Sequence, residues 1–127
     1  MKPETVEWVG KADADLDTAK REVAIVESPN YDAVCFHSQQ CAEKYLKAVM
    51  VEDGLRVPRI HDLEALLNSS VSRHPELQKV IHLARILSAM AVEVRYPGMT
   101  VDEDDAEESV RAAVAIREVV RVVLECC

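Results

Sequence analysis

The sequence predicts an all-α fold, an up-and-down four-helix bundle with one additional short helix. Three observations carry this expectation. Apolar residues recur at spacings of three and four within each of five segments. Turn-forming residues interrupt the pattern at Ser28-Pro-Asn30, Asp53-Gly54 and Pro97-Gly98. The segments run in the order long, long, short, long, long, which fits two helical hairpins joined by a short helix.

The first helix is expected from about Glu4 to Glu27, with Val6, Val9, Ala12, Leu16, Ala19, Val23 and Val26 as its apolar positions. The second is expected over Tyr31–Glu52, stopped by a glycine in the usual C-terminal place. Its apolar residues Val34, Phe36, Tyr45, Leu46 and Val49 leave little spare solvent face. That breadth implies a central place in the bundle or in a subunit interface. The loop Leu55-Arg-Val-Pro-Arg-Ile60 follows. A short helix is expected from about Asp62 to Val71, where His61 or Asp62 would cap the orphan N–H groups. The fourth helix should start at Pro75, whose missing N–H costs nothing there, and run to about Val92. Thr100 and Glu103 have capping-box spacing, so the last helix is expected from about Val101 to Leu124. Its acidic start and later arginines suit the helix dipole without any ligand.

Length and composition bound the function. A chain of 127 residues makes one domain with a real core, taken as residues 1–127. Aromatics are only 4%, so the core must be Val, Leu, Ile and Ala. Three glycines form no phosphate-cradling loop. No apolar run is long enough for a membrane span, and Met1-Lys-Pro-Glu-Thr5 leads into a charged segment, so a cytoplasmic protein is expected. The net charge of −8 argues against coating nucleic acid by bulk electrostatics. It is uneven: residues 1–32 carry −4, residues 96–127 carry −5, and residues 44–95 carry +2. Cys35 and Cys41 are read as buried small apolar residues. No zinc or calcium spacing is present, and no metal or other cofactor is expected.

The residues that carry chemistry sit mid-chain. His37, Gln40, Lys44 and Lys47 share one face of the second helix. Gln40, Lys44 and Lys47, with Glu43, Arg95 and Tyr96, form the principal candidate cluster, and His37 is read as a packed or interface histidine. The ordinary reading is a surface ion pair between Glu43 and Lys47, four apart in the favourable order. The functional reading is an anion pocket, in which Lys44, Lys47 and Arg95 hold phosphate and Tyr96 stacks on a base. Both readings stand at this point. Arg56-Val-Pro-Arg-Ile-His61 satisfies a two-residue R-x4-H pattern, but such a pattern is common by chance.

Three fragments in order, Gln39-Gln-Cys-Ala-Glu-Lys-Tyr-Leu-Lys-Ala48, His61-Asp-Leu63 and Arg95-Tyr-Pro97, resemble the HEPN family of small helical domains. The resemblance begins at Ala14-Asp-Leu-Asp-Thr-Ala19 and covers nearly the whole chain. It implies the bundle fold, a homodimer, and nucleotide or RNA as candidate ligands. It also implies an R-x4-6-H motif in those members that cleave RNA. Arg95 matches the motif's arginine, but the histidine positions hold Thr100, Val101 and Asp102. Proton transfer near neutral pH needs an imidazole or its equivalent, so the reading favoured is a non-catalytic interaction module. Stand-alone members of this type pair with a minimal nucleotidyltransferase as toxin–antitoxin systems, with Tyr96 a conceivable target of modification. The alternative is a metal-independent ribonuclease toxin using Arg95 and a displaced histidine, His61.

Overall fold

The computed structural model describes every residue except Arg95, Cys126 and Cys127. The described residues form five α-helices and one 3₁₀ helix, with no strand among them. Helix α1 spans Pro3–Val23 and α2 spans Tyr31–Glu52. Helix α3 spans Leu63–Val71, a 3₁₀ helix spans Pro75–Val80, α4 spans Ile81–Glu93 and α5 spans Glu103–Glu125.

Helix α1 opens on a proline, carries Glu4 in its first turn and ends with Lys20 and Arg21, the order the helix dipole favours. It buries Thr5, Val9, Ala12, Leu16 and Ala19, one stripe at spacings of four and three. It stops four residues before the expected Glu27. Val26 is 93% exposed, so a further turn would bury nothing, and Ser28 takes a left-handed φ of 51° ahead of Pro29.

Helix α2 starts and ends at the expected residues. The Asn30 side chain accepts from the Ala33 N–H at 3.0 Å. At the other end Gly54 has φ +75°, with its N–H bonded to the Val51 carbonyl and that of Leu55 to the Met50 carbonyl. This pair of bonds is a Schellman cap, which needs a residue tolerant of positive φ. Helix α2 packs against α1, α3, α4 and α5, and this packing buries Val34, Tyr45, Leu46 and Val49 while Phe36 stays 45% exposed. The helix holds the bundle centre.

Asp62 caps α3, accepting from the Glu64 and Ala65 N–H groups at 3.0 and 3.3 Å. From Pro75 the chain is first 3₁₀ rather than α-helical. Leu77 and Val80, three apart and both buried, lie on one line at three residues per turn.

The cap of α5 differs from the expected Thr100–Glu103 pair. Asp102 accepts from the Asp105 N–H at 2.8 Å, and Asp105 accepts from the Asp102 N–H at 3.1 Å. This reciprocal arrangement places buried Val101 just outside the cap and buried Ala106 at the fourth helical position, the two sites of a hydrophobic staple. A cap at Thr100 would forfeit that placement.

One large core joins all the helices, with Leu16, Tyr45, Leu46, Leu66, Leu87 and Ile116 among its members. A smaller cluster of Ala19, Val34 and Ala106 closes the end where α1, α2 and α5 meet.

Candidate functional site

The polar stripe of α2 faces carboxylates of its own chain. On the α1 side, Asp15 lies 2.8 Å from His37 Nδ1 and 2.5 Å from Lys44 Nζ. Two residues earlier, Asp13 accepts from the Tyr45 hydroxyl, from Arg117 Nε at 3.0 Å and from an Arg121 amino group at 2.9 Å. Burial raises the Asp13 pKa, but the hydrogen bonds from Tyr45 and Arg117 and the charges of Arg117 and Arg121 outweigh it and hold the carboxyl below its ordinary value. Burial, with the bond to Asp13, pushes the Tyr45 phenol up to about 12.

On the other side, Glu43 is buried and its carboxylate is saturated. Oε1 accepts from Gln39 Nε2 at 3.2 Å and lies 3.0 Å from His61 Nδ1. Oε2 lies 3.1 Å from Lys47 Nζ. Lys47 is itself buried and sits 5.8 Å from the centre of the Trp8 ring. The expected surface ion pair is therefore a buried one. Its partners lie between α1, α2 and the start of α3, where neither charge can be left unpaired.

A carboxylate can only accept, so the bond to Glu43 places a hydrogen on His61 Nδ1, and in the neutral imidazole Nε2 is then the acceptor. The imidazole is 68% exposed. It lines a cleft of about 320 Å³ with Gln39, Asp62, Ser88, Ala91 and Val92. The Ser88 hydroxyl is buried there without a hydrogen-bond partner among the described residues. His61 thus stands at a cleft, while capping falls to Asp62.

The candidate phosphate residues are not poised as a group. Lys44 is held by Asp15 and lines a groove with Glu4, Glu7, Trp8 and Lys11. Lys47 is held by Glu43, and Gln40 donates to the Gln39 side-chain oxygen at 2.8 Å. Tyr96 is 58% exposed in the turn after α4, and Arg95 lies outside the described residues. At the histidine positions of the R-x4-6-H pattern, Val101 is buried and Asp102 is committed to the α5 cap.

Cys35 and Cys41 are free and buried, as expected. Burial pushes the Cys41 thiol up to about 12, which keeps it protonated and inert. Among the described residues no cluster of three metal-ligating side chains exists, and no helix is long and apolar enough to cross a membrane.

Sequence reasoning missed Asp13 and Asp15 as partners of the α2 stripe. The available signal was their position on either edge of the buried Ala12–Leu16–Ala19 seam. It also missed the Glu43–His61 contact, which joins residues 18 apart and has no sequence periodicity.

The arrangement defines a small helical bundle with a buried charged seam along its central helix. The HEPN domain model matches residues 5–123, and the chain belongs to that family. It is 27% identical over 131 residues to "Putative toxin MJ1304" of Methanocaldococcus jannaschii, covering 90% of this chain and 84% of that protein. Its fold is similar to that of TT1696 from Thermus thermophilus, with a TM-score of 0.81, 23% identity and 94% and 98% of the two chains covered. It is also similar to ST0689, an archaeal HEPN homologue, with a TM-score of 0.72, 27% identity and 95% and 97% covered.

Proposed function

We propose that this chain is a non-catalytic HEPN interaction module, one half of a toxin–antitoxin-like pair whose other half is a minimal nucleotidyltransferase. The observation that carries the non-catalytic part is the state of Thr100, Val101 and Asp102. None is an imidazole, and the only acid among them is spent on a helix cap. The toxin name of the archaeal relative suits a toxin–antitoxin-like setting and fits the ribonuclease alternative equally. In this reading the partner brings the nucleotidyl-transfer chemistry, and the exposed Tyr96 phenol is its candidate acceptor. The test is affinity purification of the tagged chain from its native cells with mass spectrometry of what accompanies it. A stoichiometric nucleotidyltransferase is expected, with a mass increment on wild type that is absent in Tyr96→Phe. Recovery of the chain alone overturns the pairing.

A second reading has one observation in its favour. His61 is oriented by a buried carboxylate and presents Nε2 at a cleft, the arrangement a general base needs. As a ribonuclease toxin, the chain would cleave RNA without metal and lose that activity in His61→Ala and Arg95→Ala. Intact RNA at concentrations that form dimers removes this reading.

Nucleotide binding at Gln40, Lys44, Lys47, Arg95 and Tyr96 is a separate proposal, and it requires Asp15 to release Lys44. Millimolar ATP or GTP would then raise the melting temperature, and Lys44→Ala would abolish the rise.

A further inference from the structure

The part of the α2–α3 connection that lies between Asp53 and Asp62 is cationic on a chain of net charge −8. Residues 54–61 contain Arg56, Arg59 and His61 and no acidic side chain. Both arginines reach solvent, and neither has a hydrogen-bond or ion-pair partner among the described residues.

The carboxylates flanking the loop each have partners other than these arginines. Glu52 accepts from the Lys2 backbone N–H at 3.0 Å and from the Thr5 hydroxyl at 2.8 Å. Asp53 is bonded to His74 Nε2 at 2.8 Å. Asp62 caps α3, and Glu43 is saturated by Lys47, His61 and Gln39.

The loop is also anchored. Leu55 and Val57 pack against the main core, and Pro58 removes backbone freedom. Arg56, Val57, Pro58 and Arg59 line a concavity of about 620 Å³, with Ile60 exposed next in sequence. Two arginines frame apolar side chains on an anchored backbone, so docking costs little backbone entropy.

From this we infer that the 55–60 loop is a docking surface for a carboxylate-rich patch on a partner protein. The composition favours protein over nucleic acid. Arginine and apolar side chains together are what interface cores enrich. The loop has no aromatic ring on which a base could stack. The inference rests on the paired-module reading and supplies the contact by which the module holds its nucleotidyltransferase.

The experiment titrates the purified nucleotidyltransferase, obtained by the affinity purification above, into the full-length chain by calorimetry. Wild type is compared with Arg56→Glu/Arg59→Glu and with Lys79→Glu, an exposed cation on the 3₁₀ helix. Helical circular dichroism confirms that each variant is folded. The double variant is expected to weaken Kd by about thirtyfold or more and Lys79→Glu by less than about threefold. Wild-type Kd is expected to weaken with salt, and that dependence to shrink in the double variant. An unchanged Kd in the double variant overturns the inference and leaves the pairing intact. Absence of any nucleotidyltransferase overturns both. If the double variant instead loses only binding to a single-stranded RNA of about ten nucleotides, or only self-association, the loop belongs to nucleic acid or to a second copy, and the inference fails.

Discussion

Glu43 concentrates more of this chain's polar chemistry than its place in a sequence motif would suggest, because one buried carboxylate satisfies Lys47, His61 and Gln39 together. Removing its charge leaves Lys47 buried and unpaired. Glu43→Gln is therefore expected to lower the unfolding free energy by about 3 kcal/mol or more in urea titrations, whereas Glu43→Leu combined with Lys47→Met should cost much less. Asp13 behaves differently, because it sits at the bundle edge with partly exposed arginines. Its carboxyl is held below the ordinary value of 3.8, so the folded state binds the proton less tightly than the unfolded state does. That contribution is complete above the ordinary carboxylate range and is lost as pH falls through the lower folded value. Asp13→Asn should reduce the urea midpoint near neutral pH, and the gap to wild type should narrow toward about pH 3. A gap that does not change with pH would show that Asp13 contributes by shape alone. Neither acid was identified from sequence as an organising residue. Glu43 and Lys47 looked like an ordinary surface pair, since spacing reports which residues share a helix face and not whether that face is covered.

At the scale of elements, helix existence and order were legible because the signals are local. Asn30, Gly54 and Asp62 each act where a side chain or a glycine must act to begin or end a helix. The departures arise where tertiary burial decides. Helix α1 ends early where Val26 would stay almost wholly exposed, the fourth helix begins as 3₁₀ over Pro75–Val80, and α5 starts late with Val101 buried just outside its cap. The α5 start can be checked directly. Asp102→Ala removes the observed cap and should cost about 1 kcal/mol, while Thr100→Ala should lie within about 0.5 kcal/mol of wild type. Equal costs for the two would restore the Thr100–Glu103 cap. The candidate site was less legible than the helices for the same reason. His61 reaches Glu43, and Lys44 reaches Asp15, across helix packing that no single segment encodes.

For the whole molecule, the question is whether one copy is a sufficient folding unit. The accessible surface is 6899 Å² for a chain of 14.2 kDa, close to the roughly 6,800 Å² that compact monomers of this mass expose. The apolar breadth of α2 suggested a subunit interface as one explanation, and α1, α3, α4 and α5 bury most of that breadth, leaving Phe36 45% exposed. A core covered in this way is expected to fold without a second copy. Charge points the same way: after burial, the acidic start of α5, with Glu103, Glu107 and Asp102, raises the Tyr31 phenol pKa further. Two such ends brought together would repel. The expected outcome is a protomer that stays folded when diluted. Circular dichroism and analytical ultracentrifugation over about a hundredfold range of concentration should show helix content and melting temperature unchanged below any dissociation midpoint. Loss of helix in step with dissociation would mean that the chain folds only as a dimer, and the self-sufficient core described by Leu16, Tyr45, Leu46 and Ile116 would not be enough.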